Sequence, residues 1–280
     1  MTLNELMEKL RLGGIEAPQY EARELFYSVG KVKRGTPLFA STAIESELLS
    51  EAVRRRLSGE PLQYIVGEVG FFRETYLVSP DCLIPRSDTE ILVELAVERL
   101  ADGSKFLDLC TGSGCVAIST LKNTKDTTCR CADISAGALD MAIKNAERNG
   151  VSQRLTPVLA DVLTEEGRDL ITGGKGFDAI LSNPPYVSLS AYEGLQKEIY
   201  HEPRVAFVGG GEDGGDFYRI MTPLYLPHLN DGGFIAYEIG FDGAPILDEV
   251  ARTNGLKLEI IKDYGANDRV AVLTKQTAAK

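Results

Sequence analysis

Cationic residues are in short supply: 30 Lys and Arg stand against 41 Asp and Glu in 280 residues, a formal net charge of −11. A protein held to nucleic acid mainly by phosphate neutralisation needs net basic surface along the contact, so this balance argues against direct nucleic-acid binding and leaves room only for a local basic patch. Histidine is scarcer still. With only His201 and His228, histidine-centred catalysis has little material, and structural roles suit both residues. The five cysteines, at 82, 110, 115, 129 and 131, lack paired CxxC spacing, so neither a disulfide framework nor a zinc site is indicated and no metal is expected. Cys129 and Cys131 fall on one side of a strand-like run and read as buried small hydrophobes. No stretch reaches the roughly 18–20 consecutive apolar residues of a membrane-spanning helix, and residues 1–10 lack the basic start and apolar run of a signal peptide. A cytoplasmic, monomeric protein away from membranes is expected.

What is present is ordinary globular composition, 44% hydrophobic and 25% charged, in a length that suits one large domain and a smaller one. Residues 1–59 read as three helices. Thr2 and Glu5 have capping-box spacing ahead of Leu3, Leu6, Met7 and Leu10, and Gly13-Gly14 stops the run. Pro18 opens a second helix that ends at Gly30. A third runs from about Ile44 to Leu57 with Arg54, Arg55 and Arg56 in its last turn, where cations suit the helix dipole; a macromolecule-binding patch is the alternative. Extended segments follow at 63–72 and 76–84, a hairpin in outline. Ser87 and Glu90 then have capping-box spacing before Ile91, Leu92 and Leu95. Residues 1–85 carry 10 basic and 12 acidic side chains, the remainder 20 and 29, so neither part offers a nucleic-acid surface by net charge.

From residue 105 strand and helix signals alternate. Strands are expected at 105–110, 128–133, 154–159, 177–182, 233–239, 256–262 and 269–275, with helices at 115–122, 136–149, 215–228 and 245–253. Such alternation implies an α/β fold, a mostly parallel, doubly wound sheet covered on both faces. Only a short link, 263–268, joins the last two strands, too short for a right-handed crossover, so one terminal strand should run antiparallel. The Gly-rich stretch 208–215 reads as a loop, and 276–280 as a frayed tail.

The first of these strands ends in Asp108-Leu109-Cys110-Thr111-Gly112-Ser113-Gly114. Glycines at 112 and 114 permit a tight turn and close approach of a ligand at the edge where open α/β sheets bind cofactors. Gly112-x-Gly114-x-x-Ala117, with Asp133 further on, fits a dinucleotide fingerprint. A second reading starts from Asp108: D-x-C-x-G-x-G resembles motif I of class I S-adenosylmethionine-dependent methyltransferases, with Cys110 where a glycine is usual. A carboxylate suits a cationic sulfonium ligand. Asp133 would clamp two ribose hydroxyls, Ile134 would pack on the adenine, and Asp161 would accept from its amino group beside Val162. A turn or helix cap is the plainer account of either aspartate.

Strand 177–182 ends in Asn183-Pro184-Pro185-Tyr186. Two prolines supply no N–H, so the carbonyls around them and the Asn183 side-chain oxygen are available as acceptors. An amino group attached to a planar π-system can donate both hydrogens to this pair while Tyr186 covers its face. Methyl transfer from a sulfonium is an in-line displacement that positioning can largely catalyse, and no general base is required nearby.

This tetrapeptide resembles the signature of amino-methyltransferases that act on DNA adenine N6, on rRNA guanine N2, or on protein glutamine N5, the last being the HemK/PrmC family. Segments similar to that family are Gly59-Glu60-Pro61-Leu62-Gln63-Tyr64-Ile65-x-Gly67, Leu83-Ile84-Pro85-Arg86-x-Asp88-Thr89-Glu90, and Glu202-Pro203-Arg204 followed by Gly211-x-Asp213-Gly214. The resemblance implies a class I methyltransferase domain at 86–280, a helical release-factor-recognition domain at 1–60 and a β-hairpin linker at 61–85. It implies S-adenosyl-L-methionine as cofactor, on Cys110, Thr111, Gly112, Ser113, Gly114, Asp133, Val162 and Asn183. The substrate it implies is the glutamine of the Gly-Gly-Gln loop of class 1 peptide-chain release factors, on Asn183, Pro184, Pro185 and Tyr186, with Arg86 nearby. An enzyme methylating a nucleic-acid base, a nicotinamide oxidoreductase and a silent cofactor-binding adaptor are the alternatives.

Overall fold

The computed structural model describes residues 1–276, which divide into two compact units: Met1–Glu68 with Gln196–His201, and Val69–Leu195 with the chain from Glu202 onward. The expected tail lies, past Gln276, outside the described residues.

The first unit contains helices α1 (Leu3–Leu12), α2 (Pro18–Ser28), α3 (Glu47–Leu57) and α4 (Leu62–Val66). The capping box at Thr2 forms in both directions, with Glu5 accepting from the Thr2 amide at 2.8 Å. Helix α3 starts later than Ile44 because extended Ser46 caps it, accepting from the Leu49 amide at 3.3 Å. Residues 62–66 are helical, not the start of a strand. Pro61 leads in and left-handed Gly67 leads out, and the i,i+3 spacing of Leu62 and Ile65 puts both into the cluster of Leu6, Leu10, Leu25, Phe26 and Leu49. The arginine triplet is structural. Buried Arg56 binds Glu21 at 2.5 and 3.0 Å and Glu198 at 2.8 Å, Arg55 binds Glu60 at 2.7 Å, and Arg54 pairs with Glu51.

A small two-stranded sheet follows, β1 (Glu68–Phe71) and β2 (Glu74–Leu77). The second extended segment stops at Leu77 rather than Ile84. Pro80 offers no N–H, and Ser79 and Asp81 close a turn around it instead. The capping box expected at Ser87 and Glu90 does not form. Residues Ser87–Thr89 make a 3-10 turn into α5 (Glu90–Arg99), and Glu90 accepts from the Phe72 amide at 2.7 Å, in a hairpin turn where Phe72 has φ 57°.

The remaining elements are β3 (Lys105–Leu109), α6 (Cys115–Asn123), β4 (Thr128–Asp133), α7 (Ala136–Arg148), β5 (Leu155–Leu159), α8 (Glu165–Thr172), β6 (Phe177–Ser182), α9 (Leu189–Tyr192), α10 (Asp216–Tyr225), β7 (Leu229–Glu238), α11 (Ala244–Thr253), β8 (Leu256–Lys262) and β9 (Asp268–Lys275). Among the described residues the strands form one seven-stranded sheet of order β5-β4-β3-β6-β7-β9-β8, parallel except for β9, which runs antiparallel to both neighbours. Alternation along β3 sends Phe106 to one face and Leu107 to the other. On the first face α5, α6 and α7 contribute Leu92, Val116 and Leu139 and meet Cys129 and Cys131; on the second α8, α10 and α11 contribute Ile171, Met221 and Leu247. Helix α8 has no counterpart in the sequence reading. Its stretch is mostly polar, and what defines it is Thr164, which accepts from the Gly167 amide at 3.0 Å, and left-handed Gly173 at its end. No helix among the described residues is long and apolar enough to cross a membrane.

Candidate active site

The strand order reverses between the parallel neighbours β3 and β6, so the carboxyl ends of these strands, with those of β4 and β5, flank a crevice. A cavity of about 340 Å³ opens there. Its wall includes Asp108, Cys110, Thr111, Gly112 and Ser113 after β3, Asp133 and Ile134 after β4, Asp161 and Val162 after β5, and Asn183 and Pro185 after β6. Residues before α5, Arg86 and Thr89 among them, close another side. Gly114, Pro184 and Tyr186 are not part of the wall.

The turn after β3 is held from inside. Asp108 is buried, and its Oδ2 accepts from Thr111 Oγ1 at 2.5 Å and from the Ala117 amide at 3.2 Å. Burial pushes this carboxyl up to about 7 against those two bonds. Cys110 adopts φ 59°, so the position where a glycine is usual does need left-handed backbone, and cysteine bears it. At Gly112 (φ 54°) a Cβ would meet open space, so conformation and access are its reasons. Gly114 (φ 81°) also faces the α7 residue Ala142, and a Cβ there would lie 3.0 Å from the Ala142 methyl.

Asp133 ties the second strand to this turn: Oδ2 accepts from the Gly112 amide and Oδ1 from the Ser135 amide, each at 2.9 Å. Burial raises its pKa, with those amides opposing. Ile134 is 58% exposed on the lip while Val162 is buried behind it. That exposed aliphatic beside a carboxylate suits a flat heteroaromatic ring joined to a diol. Asp161 accepts from the Leu163 amide at 2.9 Å, so it closes a turn and also lines the cavity. The turn-cap account and the ligand account describe one side chain.

At the end of β6, Asn183 donates from Nδ2 to Thr89 Oγ1 at 3.1 Å, which leaves Oδ1 as the acceptor. Tyr186 is partly buried, and its hydroxyl donates to Glu238 Oε1 at 3.2 Å. Arg86 lines the wall paired with buried Glu202, which also accepts from the Ile84 amide at 2.9 Å. Sequence reasoning missed Glu238, and it named Thr89 and Glu202 only as parts of family-like segments, with no role of their own. The usable signal was Glu238 itself, a carboxylate in the apolar run Phe234-Ile235-Ala236-Tyr237-Glu238-Ile239. Cys82, Cys110 and Cys115 also line the cavity. Burial pushes all three thiols up, Cys82 to about 11, so none is a ready nucleophile.

The wall fits S-adenosylmethionine: buried Asp108 for a cationic amino-acid end, Asp133 for a ribose, and Ile134 with Val162 for an adenine. Residues 87–212 match the family described as the methyltransferase small domain. A solved methyltransferase from Pyrococcus furiosus aligns with TM-score 0.52 at 19% identity, over 72% of this chain and 89% of that one, a likeness of fold. Fold and cavity together define a class I S-adenosylmethionine-dependent methyltransferase. Residues 2–67 match the PrmC N-terminal domain. Release factor glutamine methyltransferases of Moorella thermoacetica and Nitratidesulfovibrio vulgaris are 34% and 39% identical, over 95% of both chains for the first and over 85% of this chain and 81% of the relative for the second. The chain belongs to the release factor glutamine methyltransferase family.

Proposed function

We propose that this enzyme methylates the side-chain amide N5 of the glutamine in the Gly-Gly-Gln loop of class 1 peptide-chain release factors, acting as a monomer in the cytoplasm without binding nucleic acid. Asn183 carries the proposal. With Nδ2 engaged by Thr89, its Oδ1 and the carbonyl framed by Pro184 and Pro185 form an acceptor pair matched to the two hydrogens of a carboxamide. A glutamine amide is a weak nucleophile because its lone pair is delocalised. Two acceptors on its N–H groups raise electron density at nitrogen and aim that nitrogen at the cofactor cavity.

Bound S-adenosylmethionine supplies an electrophilic methyl on a sulfonium whose leaving group departs neutral. Asp108 would hold the cofactor's cationic end, Asp133 its ribose, and Ile134, Asp161 and Val162 its adenine. Nitrogen forms the new bond to carbon and then sheds one proton, which water or the Asn183 oxygen can take. The helical unit, residues 1–60 above all, serves as the release-factor-recognition domain in this reading; its match to the PrmC N-terminal domain supports that assignment.

The test is transfer of a labelled methyl group to purified release factor. Label should appear on the wild-type factor and vanish when the Gly-Gly-Gln glutamine is replaced. Label appearing in rRNA or DNA instead would overturn the substrate assignment.

A further inference from the structure

Proline fixes φ and leaves ψ free, so the two prolines of the acceptor tetrapeptide do not by themselves fix where its carbonyls point. The sheet holds one end: Ser182, the residue before Asn183, is in register with Leu109 of β3 and Tyr237 of β7. The other end meets the Gly-rich stretch 208–215, which takes no part in the chemistry above. The Val187 amide donates to the Phe207 carbonyl at 2.8 Å and the Gly209 amide to the Val187 carbonyl at 3.0 Å, so Val187 and Val208 form a short parallel bridge. Against the tetrapeptide itself stand two residues without side chains. A Cβ on Gly209 would lie 2.6 Å from the Pro185 carbonyl oxygen and 2.8 Å from Tyr186 Cα, and one on Gly214 would lie 2.8 Å from the Tyr186 carbonyl carbon and nearer still to its oxygen. Gly214 is held in turn, because its neighbour Asp213 accepts from the Gly215 amide at 3.0 Å and from the two terminal nitrogens of Arg219 at 2.9 and 2.6 Å.

We propose that Gly209 and Gly214 are positioning residues for methyl transfer: their backbone contact with Pro185 and Tyr186 fixes ψ along the tetrapeptide, and with it the direction of the carbonyl framed by Pro184 and Pro185 that accepts from the substrate amide. This rests on the function proposed above. A rotation about ψ of Pro184 that redirects its carbonyl carries the Pro185 oxygen and Tyr186 Cα with it. Those are the atoms that lie against Gly209, in a contact too close to admit even a methyl group. The rotation is therefore stopped by main chain that is itself bonded to Val187. Only glycine admits so close an approach of backbone to backbone. The Tyr186 side chain is anchored separately, through its hydroxyl to Glu238, so the glycines act on the backbone and not on the ring.

Adjacent Gly209 and Gly210 allow close approach to be separated from loop strain. Gly209 does not adopt a left-handed φ, so alanine there perturbs the approach alone. Restoring an ordinary contact moves the Pro185 backbone by roughly 1 Å, and a misplacement of that size costs on the order of 10–100-fold in rate. Gly210 has φ 77°, and its Cβ would face the Asp216 carboxylate, the end of a side chain that can turn away. Alanine at 210 therefore strains the loop and leaves the tetrapeptide where it is.

The experiment is kcat at saturating release factor for wild type, G209A, G210A and D213A, with S-adenosylhomocysteine affinity by calorimetry and thermal unfolding measured on each. G209A should lose on the order of 10–100-fold in kcat while S-adenosylhomocysteine affinity stays within about threefold. G210A should unfold at a lower temperature than wild type yet keep kcat within about twofold. D213A, which frees Gly214 from Arg219, should lose at least about threefold in kcat. A folded G209A with kcat within about twofold of wild type would overturn the proposal. So would a loss in G209A that S-adenosylhomocysteine affinity follows, or one that G210A shares, since either marks general damage to the loop. Should G209A not fold, unchanged kcat in D213A would overturn the proposal, and a loss at unchanged cofactor affinity would uphold it. Failure of the wild type to label release factor would instead sink the substrate reading, a distinct result.

Discussion

In the function proposed above Asp108 links stability, pH and cofactor binding in one side chain, and Asp108→Asn separates them. In the folded chain the carboxyl titrates at about 7 rather than 3.8. At about 1.36 kcal/mol per tenfold change, that gap is an order-of-magnitude 4 kcal/mol against the ionised folded form. The sign follows from proton counting. Between about pH 4 and 7 the folded state binds the proton more tightly than the unfolded state, so stability declines as pH rises through that window and levels off above it. Asparagine carries no charge. Because Oδ2 alone accepts from both Thr111 and Ala117, an asparagine oxygen in that place keeps both bonds. Asp108→Asn should therefore match wild type near pH 4 and exceed it by up to about 4 kcal/mol at pH 8, at roughly 2–4 °C in Tm per kcal/mol. Cofactor binding should move the other way, with S-adenosylmethionine affinity falling by about 10–100-fold as the cationic ligand loses its counter-charge. Wild type should release a proton on binding near pH 6.5, read from calorimetry in buffers of different ionisation heat, and the variant should not. Equal destabilisation of the variant at every pH, or unchanged affinity, would refute the reasoning.

Three further outcomes follow from single contacts. Asn183→Ala should lower kcat by about 10²–10³-fold, as for loss of one positioned hydrogen-bonding group, while S-adenosylhomocysteine affinity and Tm change little; calorimetry and a melting curve run beside the assay check this. Cys110→Val should be about 1–2 kcal/mol less stable to urea than Cys110→Gly, because a β-branched side chain at φ 59° meets the left-handed penalty that glycine escapes. Arg56→Ala strands buried Glu21 and should destabilise the helical unit by about 3–5 kcal/mol, with faster protease cleavage at 196–201 since Glu198 loses the same partner.

Legibility in the sequence tracked the range of the interactions involved. Strands 128–133, 177–182 and 256–262 were readable to the residue because each carries apolar residues at strand spacing and is bounded by turn residues. The antiparallel terminal strand was readable because chain length alone forbids a crossover in so short a link. The Gly112 turn and the Asn183 tetrapeptide were readable because they are contiguous. Residues 62–66 failed for the opposite reason: Leu62-Gln63-Tyr64-Ile65-Val66 has strand-like composition, and only burial of Leu62 and Ile65 among helices α1 to α3 selects a helix. Glu90 likewise had a local capping partner in Ser87 and took a distant one, the Phe72 amide.

By itself, then, the sequence determined the α/β class, the glycine turn after β3 and the rigid tetrapeptide after β6, since backbone freedom at glycine, fixed φ at proline and hydrophobic period are properties of neighbouring residues. Tertiary structure alone decided which way the Asn183 amide points. That depends on Thr89, 94 residues earlier, which meets Asn183 only after folding has removed water from between them.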